Sequence, residues 1–302
     1  MTSQKVRIVW HPSSQDHDPG PGHPESPERT RAVLAALREP AMADVTSWEE
    51  AGPAEPPALL RAHTPEYLSL LESVERRGGG RLDEDTVMSR HSYQAARHAA
   101  GGAIRAAKLA LFGTPAFAAT RPPGHHALPN AAMGFCLINN VVVAARAVMA
   151  EDGVERVLIV DWDVHHGNGT QAMVERDANI RYVSLHQWPL YPGTGRDDER
   201  GVGNIFNVPR PAGLPRATYV RDLNDAVTRA TDGWKPDLLL ISAGFDALAG
   251  DPLGAFPLEP EDFVSWLREW RTLGAPCASV LEGGYAPARV AEAAALHVRA
   301  LA

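Results

Sequence analysis

Residues 156–170 read RVLIVDWDVHHGNGT, a hydrophobic run that ends in two aspartates and two histidines within six residues. Extended backbone carried through the polar residues would set Asp161, Asp163 and His165 on one side, by the two-residue period of a strand. A single Asp–His pair there reads as a salt-bridged strand end. Three ionisable groups at i, i+2 and i+4 predict a metal, because charge withdrawn from water is costly unless paired or metal-bound. Asp246 lies just past another apolar run, Leu238 to Ser242, where a lone aspartate is commonly a turn former or helix cap. As a third ligand it completes a set of Asp163, His165 and Asp246. One imidazole and two carboxylates leave a coordination position for water and substrate, as in catalytic rather than structural zinc sites.

Further chemistry lies in AFAATRPPGHHALPNAAMGFCLINN, where Pro122-Pro123-Gly124 forces a rigid loop before His125-His126. Adjacent side chains cannot both pack into a core on one face, so the pair is exposed, metal-binding or catalytic. Beside an open metal position, neutral imidazoles can deprotonate a bound water and protonate a leaving group. Asp161, not needed as a ligand, can hold one imidazole in its useful tautomer, and Asn168 can orient the other. A further strand ends in Glu282-Gly283-Gly284-Tyr285. Its paired glycines free the backbone to bring Tyr285 inward, where the phenol can donate to a developing oxyanion. In isolation such a tyrosine reads as a structural residue on a turn.

These residues need a scaffold that delivers several strand ends to one edge. Strand-like runs are KVRIVW, PAFAAT, RVLIVD, IRYVSLH, PDLLLISAG and CASVLEGG. Helix-like segments lie between most of them: PERTRAVLAALRE, TPEYLSLLESVERR, SYQAARHAAGGAIRAAKLALF, INNVVVAARAVMAE, ATYVRDLNDAVTRATDGW and EDFVSWLREWRTL, with a further helix opening at NGTQAMVERDA. Apolar runs without alternation are strands covered on both faces. The pattern predicts an α/β protein with a mainly parallel sheet between helical layers, whose sites lie at the carboxyl ends of strands. No linker or internal repeat divides residues 1–302, which read as one domain.

The chain has 302 residues, 29 Lys and Arg against 37 Asp and Glu, and a formal charge of −8. That balance argues against a general nucleic-acid grip while allowing a basic partner such as a protein tail. Two cysteines, Cys136 and Cys277, make neither a disulfide framework nor a Cys-rich zinc module. MTSQKVRIVW lacks the apolar core of a signal peptide, and no run of about twenty apolar residues could span a membrane. A soluble, cytoplasmic protein is expected.

The segments RPPGHHA, GFCLINN, VDWDVHHGNGTQ, VSLHQWPLYPGTG, SAGFDALAGDPLG and EGGY occur in that order. Together they resemble the motif series of the zinc-dependent histone deacetylases and their bacterial relatives, including acetylpolyamine amidohydrolases, from about Pro24 to Tyr285. Asn168 in HHGNG and Glu282 before GGY are more similar to the class II and polyamine branch than to class I, which usually has Asp at the first position. The resemblance implies the arginase-deacetylase fold, a three-layer αβα arrangement around an eight-stranded sheet. It implies zinc on Asp163, His165 and Asp246, with His126 as general base and acid. His125 becomes an electrostatic partner held by Asp161, and Tyr285 the oxyanion donor. Gly134 and Phe135 of GFC, with Tyr191 of LYPGTG, match the walls of a narrow acyl-lysine tunnel. Arg29 of HPESPERTRAV matches an arginine lining an internal cavity beneath the metal. A structural potassium is implied on Asp161, Ser184 and the carbonyls of Asp163, His165 and Leu185. Cys136 is given no role, being adequately explained as a small buried hydrophobe.

The implied reaction is metal-assisted hydrolysis of an acetylated amine to acetate and a free amine. The metal could be zinc or, since Asp and His also accept it, iron(II). Bacterial relatives are often homo-oligomers. Four readings share the motifs to different degrees. An acetylpolyamine amidohydrolase would share every catalytic residue. The arginase branch would need a second carboxylate set, which is absent. A catalytically inactive acyl-amine reader would be free to lose the intact ligands and Tyr285. The rim favours a deacylase of acetyl-lysine-type substrates. GDPLG places apolar Leu253 where one polyamine-selective branch has an acidic gatekeeper, and Asp83, Glu84 and Asp85 read as a solvated loop.

Overall fold

The computed structural model describes residues 4–302. Its strands are Val6–Trp10 (β1), Thr46–Glu50 (β2), Gly79–Arg81 (β3), Val87–Ser89 (β4) and Ala116–Ala118 (β5), followed by Val157–Asp161 (β6), Ile180–Gln187 (β7), Ile205–Arg210 (β8), Leu238–Ala243 (β9) and Cys277–Leu281 (β10). Eight form one sheet in the order β2-β1-β5-β10-β9-β6-β7-β8, with every neighbouring pair parallel. β3 and β4 make a separate antiparallel hairpin. A wholly parallel sheet brings all its carboxyl ends to one edge.

Alternate residues of the central strands enter two different cores. Val157 and Ile159 pack with the helices Pro65–Arg76, Ser92–Leu111 and Asn140–Glu151. Leu158 and Val160 face the helices Pro27–Leu37, Arg216–Thr231, Pro260–Trp270 and Pro287–Leu301. Helices on both faces account for the continuous apolar runs, and the three-layer expectation holds.

Two sheet strands, β2 and β8, are absent from the sequence-based set. They are the two edges. With one neighbour each they are only partly buried, as TSWEE and IFNVPR show, so neither carries a long apolar run. Pro209 suits an edge, where a missing N–H breaks no ladder. The helix Pro287–Leu301 after the last strand is likewise additional to the expected segments.

β6 also ends earlier than alternation implies. It stops at Asp161, and Asp163 and His165 follow in a bent segment. The Asp163 N–H donates to Asp161 Oδ1 at 3.1 Å and the His165 N–H to Asp163 Oδ1 at 2.9 Å. Side-chain acceptors thus replace the sheet ladder. Trp162, between the two aspartates, is fully buried on the opposite face. Its ring stacks 5.7 Å from Trp266 and 5.8 Å from Trp270. Burying about 200 Å² of indole is worth roughly 5 kcal/mol, enough to anchor a strand tip crowded with charge.

Candidate active site

Four adjacent central strands, β5, β10, β9 and β6, supply the clustered side chains from their carboxyl ends. β6 leads to Asp161, Asp163 and His165, and β9 to Asp246. The loop after β5 carries His125 and His126, and β10 runs into Glu282–Tyr285. Asp163, His165 and Asp246 are buried, and one ligand atom from each lies within 4.8 Å of the others. His165 Nδ1 is 3.1 Å from Asp163 Oδ1 and 3.2 Å from Asp246 Oδ2. Ligand atoms about 2.0–2.1 Å from a tetrahedral zinc would stand about 3.3 Å apart, so this spacing fits the ion closely.

Each carboxylate is oriented by main chain. Val164 N–H donates to Asp246 Oδ1 at 2.7 Å, leaving Oδ2 toward His165. Gly283 N–H donates to Asp163 Oδ2 at 2.9 Å. Gly283 has to be glycine for a reason unrelated to Tyr285, since a Cβ there would lie 2.1 Å from Asp246 Oδ2 and 2.5 Å from Asp163 Oδ2. Gly284, at φ +123°, supplies the turn that brings Tyr285 inward.

Charge in this cluster calls for a cation. Burial alone would lower His165, but hydrogen bonding to Asp163 and Asp246 outweighs it and raises the imidazole to about 10. Burial, followed by the Asp163 charge, pushes Asp246 up to about 7. A divalent ion would take the place of the proton that His165 otherwise holds between two carboxylates. The donor set therefore fits a metal.

The tandem histidines are held differently. His125 Nδ1 lies 3.1 Å from Asp161 Oδ2, which also accepts the Tyr182 hydroxyl at 2.9 Å. Burial would lower His125, yet Asp163 and Asp161 outweigh it and raise it to about 10. His126 Nδ1 meets Asn168 Oδ1 at 2.8 Å, leaving Nε2 as the lone-pair nitrogen. Burial, then His125 and His165, hold His126 well below the ordinary imidazole value. The two rings, 4.0 Å apart, are thus driven to opposite charge states.

A cavity of about 260 Å³ opens over them, lined by Asp85, His126, Gly134, Phe135, His165, Leu190, Tyr191, Leu253 and Tyr285. Gly134, Phe135, Tyr191 and Leu253 thus meet on one pocket. A Cβ on Gly134 would lie 2.4 Å from the His126 ring. Phe135 holds φ +67°, rare for a non-glycine residue. Its N–H donates to Thr86 Oγ1 at 3.0 Å, and that of Gly134 to Asp85 Oδ1 at 3.1 Å. Asp85 is therefore part of the pocket rather than of a solvated loop. Cys136 is buried against the Gly134 carbonyl, and burial pushes its thiol well above the ordinary range.

Beneath the pocket, Arg29 is buried and donates from Nη1 to Glu25 Oε1 at 3.0 Å. It also clasps the carbonyls of Glu282 and Gly284, and its guanidinium lies 4.9 Å from the Tyr285 ring centroid. Arg29 supports the pocket floor and is not among the lining residues. Glu25 is also bound by Arg121 through Nε and Nη2, at 2.5 and 2.6 Å. The Glu282 carboxylate accepts the N–H of Gly124 at 2.6 Å and of His125 at 3.1 Å, fixing the histidine loop. Asp251 joins rim to floor by accepting from Leu253 N–H at 2.9 Å and Tyr285 N–H at 2.7 Å. Ser184 stands opposite Asp161 in the β6–β7 register.

Buried acids and imidazoles thus stand at the foot of one pocket, on the carboxyl edge of a parallel sheet. The histone deacetylase domain model matches residues 23–301. A probable deacetylase of Methanothermobacter thermautotrophicus is 39% identical over 287 residues, covering 93% of this chain and 86% of that protein. A histone deacetylase-like amidohydrolase of Pseudomonas aeruginosa is 39% identical over 281 residues, covering 89% of this chain and 74% of its own length. The solved HD domain of HDA15 matches with a TM-score of 0.94 at 34% identity, over 99% of this chain and 88% of that one. The chain belongs to the histone deacetylase family and has its arginase-deacetylase fold. It is a hydrolase acting on amide bonds. No helix among the described residues is long and apolar enough to cross a membrane.

Proposed function

We propose that the protein is a zinc-dependent deacylase that releases acetate from acetyl-lysine-type substrates. The observation that carries this reading is the narrow pocket walled by Phe135 and Tyr191, which ends at His126 and the Asp163–His165–Asp246 cluster. When bound, the metal supplies Lewis-acid polarisation and acidifies water. His126, uncharged with Nε2 free, accepts the proton of the attacking water. Tyr285 donates its hydroxyl to the carbonyl oxygen as negative charge develops there. The water oxygen bonds to the carbonyl carbon, and the C–N bond breaks as an imidazolium returns a proton to the nitrogen. His125, held by Asp161, keeps positive charge beside the reacting centre. Asp and His ligands would also accept iron(II).

A potassium ion on Asp161, Ser184 and the carbonyls of Asp163, His165 and Leu185 is consistent with the local hydrogen bonds. His186 Nε2 must donate to the Gly195 carbonyl at 2.9 Å, so its Nδ1 accepts from Ser184 Oγ at 2.9 Å. That leaves the lone pairs of Ser184 free for a cation.

Asp85 at the mouth gives the polyamine alternative one supporting observation, because a carboxylate could meet a distal ammonium. A partly exposed pair of that kind is worth only about 0–1 kcal/mol. Leu253 across the pocket offers nothing to such a charge, so acetyl-lysine remains favoured. We expect an acetyl-lysine peptide to exceed N-acetylputrescine in kcat/KM, and Leu253→Glu to raise the relative kcat/KM for acetylated polyamines. A wild type preferring acetylputrescine or acetylspermidine by about a hundredfold, or roughly 2.7 kcal/mol, would reverse the assignment.

A further inference from the structure

His166, beside the ligand His165, is buried and faces away from the pocket. Its surroundings determine where its proton sits. Asn207 Nδ2 donates to the Arg196 carbonyl at 3.2 Å, which identifies that atom as nitrogen, and also to Gln171 Oε1 at 2.8 Å. Gln171 Nε2 donates in turn to Glu199 Oε2 at 2.5 Å, as a carboxylate requires. With the Gln171 amide so oriented, its oxygen also accepts from His166 Nε2 at 2.9 Å. His166 Nδ1 is then the lone-pair nitrogen and accepts the Thr194 hydroxyl at 2.8 Å. Every group in this relay has one consistent role.

The relay ends on the segment that follows Tyr191. Thr194 is tied to His166, and the Gly195 carbonyl to His186. Gly195 sits at φ +87°, and a Cβ there would lie 2.5 Å from the His166 ring and 2.6 Å from His186 Nε2. Two uncharged, buried rings 4.7 Å apart therefore form the bed on which residues 194–195 rest. Three residues upstream of Thr194, Tyr191 stands as a pocket wall, its ring 5.2 Å from that of His126.

We propose that His166, oriented by Gln171 and Glu199, is a positioning residue that latches the 191–199 segment and so sets the Tyr191 wall and the width of the acyl pocket. This rests on the acyl-lysine reading of the pocket. The latch touches no reacting atom. Loosening it should weaken ground-state fit and acyl selectivity more than turnover.

Thr194→Val removes the hydroxyl that His166 needs while keeping side-chain volume, and Thr194→Ser restores it. For Thr194→Val we expect a rise of about fivefold in KM for an acetyl-lysine reporter, the scale of one net hydrogen bond. Its kcat should stay near the wild-type value, and the acetyl-to-butyryl preference should fall. Trypsin should cut after exposed Arg200 faster than in wild type, at an unchanged melting temperature. Thr194→Ser should match wild type in each measurement, and Gly195→Ala should exceed Thr194→Val. Unchanged KM and cleavage in both Thr194→Val and Gly195→Ala would overturn the latch. A matched loss of kcat and melting temperature with KM unmoved would overturn it too, by reducing His166 to a general structural role. A wild type inert toward every acetyl-lysine reporter would refute the proposed substrate, while the tryptic comparison would still test the latch.

Discussion

Asp246→Asn protein will retain no stoichiometric divalent ion and will hydrolyse no acetyl-lysine reporter, while folding normally. Asp246 uses its two oxygens separately: Oδ1 accepts the Val164 N–H, and Oδ2 faces His165 Nδ1. Asparagine can keep the first contact with its carbonyl. It must then present an N–H where a metal needs a lone pair, which removes one of the three proposed protein ligands. Asp163→Ala should lose metal and activity as fully, but less cleanly. Both Asp163 oxygens accept main-chain N–H groups, from His165 and Gly283. Their loss leaves buried donors unmet at about 1–3 kcal/mol each. Metal analysis after gel filtration, paired with a thermal melt, checks both variants. Full occupancy in either would mean that the ion is held elsewhere.

Legibility of this molecule in its sequence follows burial and range. β6 and β9 are covered on both faces, so VLIVD and LLLISA announce themselves as unbroken apolar runs. The edges β2 and β8 share their surface with water and carry Glu49, Glu50, Pro209 and Arg210, which hide them. The helix Pro287–Leu301 is different: it is alanine-rich and follows the last strand, outside the strand–helix alternation. The candidate site residues cluster in short motifs, so Asp163, His165, Asp246, the tandem histidines and Tyr285 could be singled out from the sequence, and the structure brings them together. Their supports could not be singled out. Arg121 meets Glu25 across 96 residues, and the Glu282 carboxylate meets Gly124 across 158. No local period records such contacts. Alternation grouped Asp161, Asp163 and His165 as one strand, whereas the strand ends at Asp161 and the other two follow in a bent segment. Charge density, more than strand geometry, was the informative signal. For Asp85 charge density misled, since its acidic surroundings suggested solvent while Gly134 N–H holds it at the pocket.

Tyr285→Phe will fold, keep its metal and lose about 10²–10³ in kcat, the range for one oxyanion donor. The substitution isolates the hydroxyl because the rest of the side chain is independently held. Phe135 packs edge-on at 5.8 Å, the Arg29 guanidinium lies over the ring, and Asp251 holds the backbone N–H. Burial keeps the phenol well above its ordinary range, so it stays protonated and able to donate. His126→Ala should be at least as damaging, since a general base contributes about 10²–10⁴ and no other neutral imidazole lines the pocket with a free nitrogen. His125→Ala should cost less turnover and more stability. It leaves Asp161 with only the neutral donors Tyr182 hydroxyl and Asp163 N–H, and removing one partner of a buried charge pair typically costs about 3–5 kcal/mol. Single-turnover rates, metal content and melting temperature for the three variants separate these roles. Near-wild-type turnover of Tyr285→Phe would make Tyr285 a wall residue. A larger turnover loss in His125→Ala than in His126→Ala would exchange the two imidazoles, placing the proton acceptor on the ring that Asp161 holds.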